Sequence, residues 1–527
     1  DAISAYRQAM ALRPDFAEAT GNLGAVLRQI GQTGDAIAAC RRAIQLKPDF
    51  VEAYNDLGVA YYESDRLEEA IECYNRTIAL NPRHSEAINN LGVAHKDRGM
   101  IKEAIACYDR VLELKPDDAA VDSNRLQTLH FLDEIDPRTA FEAHVAWAKR
   151  HAESLKQSAP PRDDDPSGVR PLKIGYVSAD FRHHSVAFFL LPILENRDRA
   201  HFHVTCYSTH SRQDHVTDRL RKSADAWRDM FGIGDEDAAQ RVRDDRIDIL
   251  VDLAGHTAHN RLLMFARKPA PVQVTFLGYP STTGMTAIDW RITDDIADPA
   301  GAESLHTERL FRLPRTAWCF FPLSGSPPIA DRPQNEVVFG SFNNLAKITE
   351  PTLRLWGQIL SQCPNSRLLI KNRASGSAAV CDRLRQALQS HGAAARQIEF
   401  LAPKESSAKH LECYNQVDIA LDTFPYHGTT TTCESLWMGV PVVTRAGTAH
   451  VSRVGVSLLG SIGLNELIAG DEENYVRIAV ELSRDRDRLQ TLRSSLRQRM
   501  RQSPLMDAPE YARQIEAAYR MMWKSRA

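Results

Sequence analysis

The sequence predicts an all-α solenoid of helical repeats, followed by an α/β region with two lobes that are each built on a parallel, doubly wound sheet. Two observations carry this prediction. The first quarter of the 527-residue chain repeats itself at a fixed step, and most of the rest alternates short apolar runs with longer amphipathic ones. Between them lies SAPPRDDDPSGVRP, residues 158–171, whose prolines and charges are typical of a domain boundary.

The repeat has a period of 34 residues. Its markers are a proline, a Leu-Gly pair and an alanine, which recur at Pro14, Pro48, Pro82 and Pro116, at residues 23–24, 57–58 and 91–92, and at Ala2, Ala36, Ala70 and Ala104. This period and composition resemble the tetratricopeptide repeat. The small residues allow the two helices of a unit to pack closely, and the proline ends the second helix. Stacked units of this kind form a concave surface that usually binds peptides or proteins.

Short polar residues precede each Leu-Gly pair, at Asn22, Asp56 and Asn90. Amide side chains on one helical face can bind a peptide backbone, so these three form a candidate peptide ladder. A solvated helix face explains them equally well from the sequence alone.

The predicted domains follow from these patterns. They are a repeat solenoid over residues 1–133, a helical cap and linker over 134–170, an N-terminal lobe over 171–322 and a C-terminal lobe with a terminal helix over 337–527. The predicted strands are LKIGYVS, HFHVTCYS, DILVDLAG, VQVTFLGYP and AIDWRITD in the first lobe, and VVFGSFN, RLLIKN, QIEFLA, VDIALDT and VPVVTRAG in the second. AFFLLPILE and SRQDHVTDRLRKSADAW are predicted helices. The terminal helix, over PEYARQIEAAYRMMWKSR, either crosses back to the first lobe or forms a dimer contact.

Composition excludes several classes of protein. The net charge of −3 leaves no overall excess of basic residues of the kind that nucleic-acid-binding proteins usually carry. The sequence contains no run of 18 apolar residues, so no membrane-spanning helix is predicted. Nine scattered cysteines without a C-x-x-C pair indicate reduced thiols rather than disulfides or a zinc site, and with that a cytoplasmic protein.

The stretch LDTFPYHGTTTTCESLWMGVPVVT, residues 421–444, predicts an anion site. Gly428 and the threonines after it lie between a strand and a helix, and a helix N-terminus attracts phosphate. Gly428 allows the backbone to turn sharply and approach the anion. Glu434, expected in the first helical turn, can accept hydrogen bonds from a ribose. Neither a Walker A nor a G-x-G-x-x-G motif is present, so we expect a nucleotide diphosphate in a different cradle.

Several motifs together resemble one family. GYVSADFRHHSVAFFL, LGYPSTTG, GSFNNLAKITEPTLRLW, FLAPKE and the threonine-rich stretch follow the repeats in this order, and they resemble the O-linked N-acetylglucosamine transferase family, as a bacterial homologue. The resemblance implies a GT-B fold with two Rossmann-like lobes. It also implies inverting transfer of N-acetylglucosamine from UDP-N-acetylglucosamine to Ser or Thr of proteins, without a metal or other cofactor, with the acceptor engaged beside or through the repeats.

The resemblance also assigns residues. His184 matches an active-site histidine close to sugar and acceptor, which can take a proton or donate a hydrogen bond. Lys347 matches a lysine that contacts the diphosphate and neutralises charge as UDP leaves. The nucleotide-sugar-binding candidates are Asn343, Asn344, Lys404, Gly428, Thr429, Thr430, Thr431 and Glu434. Ser407 and His410 stand where animal relatives carry a histidine that stacks on uracil and an arginine, so this resemblance implies a differently arranged nucleoside site.

On the sugar and acceptor side, the resemblance gives Tyr279, Pro280, Ser281 and Thr282, for which a plain turn is the alternative. His256 also ends a strand and is expected to face the cleft. His256 and His259 lack a third ligand nearby in the sequence, so no metal site is predicted.

Two alternatives remain at this point. The lobes can use another sugar or a non-protein acceptor, or the chain can be a repeat scaffold whose lobes bind nucleotide and turn over poorly. A second copy of the chain is a further candidate partner.

Overall fold

The computed structural model describes residues 2–133, 135–159, 170–322, 325–332, 336–402, 404 and 406–526. Two compact units are present. The first contains residues 1–128, 344–346 and 372–384, and the second contains residues 129–343, 347–371 and 385–527. Most of the predicted boundary at 158–171 and part of the join between the lobes lie outside the described residues, so the domain ranges stay predictions.

The first unit is a stack of antiparallel helices. They are α1 (Ala2–Leu12), α2 (Ala17–Gln29), α3 (Thr33–Leu46), α4 (Val51–Glu63), α5 (Leu67–Leu80), α6 (Ser85–Asp97), α7 (Ile101–Leu114) and α8 (Ala119–Leu129). The repeated glycines explain how tightly each pair packs: a Cβ on Gly58 would lie 2.6 Å from the ring of Tyr74, and one on Gly92 would lie 2.7 Å from that of Tyr108. The predicted tetratricopeptide solenoid is confirmed.

The second unit begins with α9 (Pro137–His151) and contains two parallel sheets. The first lobe consists of β1 (Leu172–Ser178), α10 (Ser185–Asn196), β2 (Phe202–Ser208), α11 (His215–Ser223), β3 (Ala226–Asp229), α12 (Asp235–Asp244), β4 (Ile249–Asp252), α13 (Leu262–Ala266), β5 (Val272–Thr275), β6 (Trp290–Asp294) and β7 (Arg309–Leu313). Its strand order is β3-β2-β1-β4-β5-β6-β7, with every neighbouring pair parallel.

The second lobe repeats this architecture. It consists of β8 (Val337–Ser341), α14 (Glu350–Gln362), β9 (Ser366–Lys371), α15 (Ala378–Ser390), β10 (Ile398–Leu401), α16 (Ser407–Glu412), β11 (Ile419–Leu421), α17 (Thr430–Trp437), β12 (Val442–Arg445), α18 (Val454–Ser461), β13 (Ile468–Ala469), α19 (Glu472–Arg484), α20 (Arg486–Arg501) and α21 (Ala508–Lys524). The strand order is β10-β9-β8-β11-β12-β13. The predicted pair of Rossmann-like lobes is confirmed.

The terminal helix α21 packs into the core of the first lobe. Its apolar face, including Tyr511, Ile515 and Tyr519, belongs to the same buried cluster as Tyr176 on β1. The hydroxyls of Tyr176 and Tyr519 lie 2.9 Å apart. Of the two predicted roles for this helix, the structure therefore shows the return to the first lobe, and the apolar stripe is already covered.

Three strands were not predicted from the sequence. β3 lies where SRQDHVTDRLRKSADAW predicts continuous helix, because α11 ends at Ser223 and the chain then forms a half-exposed edge strand. β7 and the two-residue β13 are the edge strands on the other side of their sheets. Edge strands bury only part of their surface, so their apolar pattern is weak.

Candidate functional site

The strand order places two switch points at the carboxyl edges of the sheets. In the first sheet β1 lies between β2 and β4, and in the second β8 lies between β9 and β11. Ligands of open α/β sheets bind where the order reverses in this way. His184 follows β1, Lys347 follows β8, and Gly428 follows β11. The topology therefore places all three at switch points.

The threonine block forms the start of α17. The helix begins at Thr430, with Thr429 at its N-cap, so three of the threonines form the first turn instead of preceding it as predicted. The Thr430 hydroxyl is buried and has no hydrogen-bond partner among the described residues. Since the first N–H groups of a helix are also unpaired within it, a phosphate oxygen at this end would satisfy both kinds of donor.

Close packing explains the glycine before the threonines. A Cβ on Gly428 would lie 2.8 Å from Oδ1 of Asn343 and would also meet the Thr431 hydroxyl. That hydroxyl donates to Asn343 Oδ1 at 2.8 Å, and the Gly428 N–H donates to Asp422 Oδ1 at 2.8 Å. Gly428 is not among the glycines with positive φ, so the residue is required by its neighbours and not by a left-handed turn.

Lys347 places a cation beside this loop. Its Nζ donates to the carbonyl oxygen of His427 at 2.8 Å and lies 4.1 Å from the centre of the Tyr426 ring. Burial lowers the pKa of Lys347 to about 8, although the Asp422 carboxylate opposes the shift. The lysine is therefore charged at pH 7, and an anion next to it would stabilise that charge.

His184 caps helix α10 after the first strand. Its Nδ1 lies 3.4 Å from the Val186 N–H and 3.5 Å from Asp180 Oδ2. Burial lowers the pKa of His184, with Asp180 opposing. Because an ordinary imidazole has a pKa near 6.5, this histidine is mostly neutral at pH 7 and retains a ring nitrogen, Nε2, for a ligand.

Comparison with known sequences identifies the family. Residues 150–321 and 329–515 match the family described as glycosyl transferase family 41, which covers more than half of the chain. The chain belongs to glycosyl transferase family 41. Residues 24–65, 51–84 and 85–118 match tetratricopeptide repeat families.

Named relatives and a solved structure agree with this assignment. The chain is 42% identical over 408 residues to the tomato (Solanum lycopersicum) protein named probable UDP-N-acetylglucosamine–peptide N-acetylglucosaminyltransferase SPINDLY, covering 76% of this chain and 44% of that protein. It is 31% identical over 374 residues to the Arabidopsis thaliana protein of the same description named SEC, covering 68% and 37%. A mutant of the Thermobaculum terrenum O-GlcNAc transferase superposes with a TM-score of 0.91 at 38% identity, covering 96% and 97%. The chain spans less than half the length of these two plant relatives.

The residues expected at the nucleoside end contact one another. Glu434 lies in the second turn of α17, not in the first as predicted. Its Oε2 lies 3.0 Å from His410 Nε2 and accepts from the Tyr414 hydroxyl at 3.4 Å. His410 Nδ1 in turn contacts Nζ of Lys371. Lys371 is the last residue of β9, and sequence reasoning missed it although the ends of strands are the expected place for ligand-binding residues.

Ser407, which with His410 departs from animal relatives, connects the two lobes. Its hydroxyl lies 2.8 Å from Nε2 of His183, the neighbour of His184. Lys404 and Asn344 are both exposed, and Asn344 Oδ1 accepts from the N–H of Ala346 at 3.0 Å. The roles of Lys404 and Asn344 in nucleotide binding stay predictions.

The expected sugar and acceptor residues divide into two groups. Tyr279 is buried, with its hydroxyl 2.8 Å from His144 Nε2 and 3.1 Å from His130 Nε2. Thr282 is buried and donates to Glu308 at 2.6 Å. Both are therefore held inside the protein, contrary to expectation, whereas Pro280 and Ser281 line a cavity.

His256 differs most from its expected position. The side chain is fully buried, its Nε2 lies 2.9 Å from the carbonyl oxygen of Thr283, and its ring meets Trp147 edge-on at 4.6 Å. Burial keeps the pKa of His256 well below the usual range. The imidazole is a core group that attaches the cap helix α9 to the first lobe, and the expectation that it faces the cleft was wrong.

We expect His256→Ala to destabilise the second unit by about 2–4 kcal/mol, because it opens a cavity and leaves the Thr283 carbonyl unpaired. Thermal melting should show a midpoint at least about 4 °C lower. The exposed His203 on β2 is the control, and His203→Ala should shift the midpoint by less than about 2 °C. Equal midpoints for the two variants would contradict the core assignment.

Amide side chains of neighbouring repeats are linked by hydrogen bonds, and the linked residues only partly overlap the candidate peptide ladder, whose role stays a prediction. Asn90 Nδ2 donates to Asn55 Oδ1 at 3.4 Å, and Asn124 Nδ2 donates to Asn89 Oδ1 at 3.1 Å. Asn22 is exposed. Burial raises the pKa of Asp56 to about 6, against the opposing charge of Arg28. Asn124 lies one further period after Asn90, so extending the repeat by one step would have found it.

Neither a metal-binding cluster nor a membrane-spanning helix is found in the described residues, which leave out residue 134, residues 160–169 and the other gaps given above. Within the described ranges no group of three or more His, Cys, Asp or Glu side chains comes together to hold a metal ion. No helix in the same ranges is long and apolar enough to span a bilayer.

Proposed function

We propose that this family 41 protein transfers N-acetylglucosamine from UDP-N-acetylglucosamine to Ser and Thr hydroxyls of proteins. The observation that carries the proposal is the cradle at the switch point of the second sheet, where the unpaired Thr430 hydroxyl and the start of α17 follow one strand and Lys347 follows its neighbour. The names of the plant relatives and the bacterial structural neighbour support this donor and acceptor.

The proposed reaction is the inverting displacement that the family resemblance implies, and the charges at the cradle support it. The acceptor oxygen attacks the anomeric carbon from the face opposite UDP, the bond from that carbon to the diphosphate oxygen breaks, and the configuration inverts. Negative charge grows on the departing UDP. Lys347 and the donors at the start of α17 stabilise it, so this step needs no metal from the protein.

The acceptor proton needs a destination. His184 is mostly neutral at pH 7 because burial lowers its pKa. Its Nδ1 accepts from the Val186 N–H, so Nε2 carries the ring proton and donates a hydrogen bond to the reacting groups, while the acceptor proton passes to bulk water. We therefore propose that His184 lies beside the donor sugar and the acceptor hydroxyl.

One observation favours an alternative donor nucleotide in place of a UDP-sugar. His410 contacts both Glu434 and Lys371, so the carboxylate expected to bind the ribose is already paired. A nucleotide donor with a different base is the alternative. GDP competition against UDP distinguishes the two, since the diphosphate contacts are shared and only the nucleoside contacts differ.

The test of the proposed function is transfer itself. Purified protein, UDP-N-acetylglucosamine and a Ser/Thr peptide library are incubated with EDTA, and added mass is read by mass spectrometry. We expect a gain of one N-acetylhexosamine on hydroxyl-containing peptides and none on matched peptides with Ala. Nucleotide binding without transfer to any acceptor would instead favour the scaffold alternative.

The repeats are proposed to engage the acceptor through the ladder that includes Asn22, Asp56 and Asn90. We expect the double variant Asn55→Ala, Asn90→Ala to raise KM for a long acceptor at least fivefold, because the linked amides no longer present donors to its backbone. kcat should change less than twofold. Steady-state kinetics on a long and a minimal acceptor provide the check, and an equal effect on both would place the ladder outside acceptor binding.

The proposed compartment is the cytoplasm. All nine cysteines are free thiols in the structure, which fits a reducing environment.

A further inference from the structure

A second cavity lies apart from the nucleotide cradle. It has a volume of about 240 Å³, room for about eight water molecules at liquid density. Its lining comes from loops after β5, β6, β11 and β12, from the segment that leads into α9 and from the first turns of α9 itself. None of the cradle residues Asn343, Lys347 or Gly428–Thr431 contributes to it.

One wall of the cavity carries a buried carboxylate between two histidines. Asp298 accepts from His450 Nδ1 at 2.7 Å, from His306 Nε2 at 3.3 Å and from the Thr293 hydroxyl at 2.6 Å. Burial opposes ionisation, but His450 and His306 hold the pKa of Asp298 well below its usual range. The carboxylate is therefore ionised and fixes which ring nitrogen of each histidine carries a proton.

Each histidine lines the cavity with its other nitrogen unpaired. His450 is only 6% exposed. His450 Nε2 and His306 Nδ1 are buried and have no hydrogen-bond partner in the described part of the chain. Burial lowers the pKa of His450, with Asp298 opposing. Because one N–H of each ring donates to Asp298, the lone pair of each neutral imidazole lies on its other nitrogen, and a buried acceptor left without a donor is unfavourable.

The remaining lining is mostly apolar. Phe141 and Phe424 contribute aromatic rings, and Ile135 and Leu305 contribute aliphatic surface. No Lys or Arg is found among the described lining residues, so nothing there compensates an anion. The lining suits a neutral ligand that has both an apolar face and groups that donate hydrogen bonds.

We propose that this cavity binds a neutral hydroxylated ligand the size of one sugar ring. Its hydroxyls donate to His450 Nε2 and His306 Nδ1, and its C–H face packs on Phe141 and Phe424. Asp298 acts as a positioning residue that holds the two imidazoles. Such a ring has two sources, a free monosaccharide or a sugar already attached to a peptide.

The experiment uses the full chain saturated with UDP, so that the cradle is filled. Free N-acetylglucosamine and a peptide carrying Ser-linked N-acetylglucosamine are titrated separately, with binding followed by ligand-observed NMR. We expect one or both probes to bind, and His450→Leu to weaken that binding at least tenfold. His203→Leu, at an exposed position on β2, is the matched control and should leave it unchanged. The probe that binds identifies the source.

A second variant guards against a folding defect in His450→Leu. Thr448 lines the cavity and is exposed, so the indole of Thr448→Trp is expected to fill part of the cavity while leaving Asp298 and its histidines intact. It should weaken binding as much as His450→Leu does. Absence of binding by both probes would overturn the proposal. So would binding that neither variant changes, which would place the sugar beside UDP in the cradle.

Discussion

Lys347→Ala is expected to lower kcat at least tenfold, which corresponds to about 1.4 kcal/mol of transition-state stabilisation. The side chain reaches the His427 carbonyl beside the cradle at 2.8 Å. Charge accumulates on UDP only as its bond to the sugar breaks, so the cation acts more strongly on the transition state than on the bound substrate. Steady-state kinetics with a peptide acceptor measure the effect.

Lys347→Met separates charge from packing. Methionine keeps an unbranched stem against the Tyr426 ring, which Nζ of Lys347 approaches to 4.1 Å, and removes only the cation. Since burial lowers the pKa of Lys347 to about 8, the cation is present below pH 8 and is lost above it. Wild-type kcat/KM should therefore fall as the pH rises through about 8, and Lys347→Met should not show this fall. An unchanged kcat in both variants would remove Lys347 from the mechanism.

Gly428→Val is expected to reduce nucleotide affinity at least tenfold, about 1.4 kcal/mol. A Cβ at this position would lie 2.8 Å from Asn343 Oδ1 and would press on Thr431. The Thr431 hydroxyl would lose its bond to Asn343, and the start of α17 would move away from the phosphate. Calorimetric titration with UDP measures the loss.

Gly470→Val is the matched control, because a Cβ on this exposed glycine of the second lobe meets nothing within 4 Å. Its affinity for UDP should stay within about twofold of wild type. Similar affinity for UDP in Gly428→Val and Gly470→Val would show that the cradle does not depend on the close approach at Gly428.

Most of the fold follows from the sequence because its periodicities are strong. The 34-residue step identifies the solenoid, and the glycines that define it pack against Tyr74 and Tyr108 as small residues should. The central strands are buried on both faces and read as apolar runs. The partner of α21 could not be predicted, since an amphipathic stripe indicates that a helix is covered but not by what.

The candidate site was predictable where residues end strands. Lys347 and Gly428 lie at the expected switch point of the second sheet, and Lys371 could have been found by the same rule. His256 and Tyr279 also follow strands, yet burial beneath the cap helix α9 decides their role, and burial depends on contacts distant in sequence. His410 and Glu434, 24 residues apart, gave no sequence signal of their contact.

The cavity around Asp298 illustrates the same limit. Asp298, His306 and His450 come from the loops after two strands of different lobes, and their spacing of 8 and 144 residues matches no motif. Only the folded second unit places them around one carboxylate.

The most direct test of the nucleotide site is calorimetric titration of the purified protein with UDP, ADP and GDP, first without added metal and then with EDTA. We expect selective UDP binding that EDTA does not change and that weakens in Lys347→Ala. Selective binding of GDP would contradict the proposed donor while retaining the cradle. No binding of any of the three would contradict the nucleotide site itself.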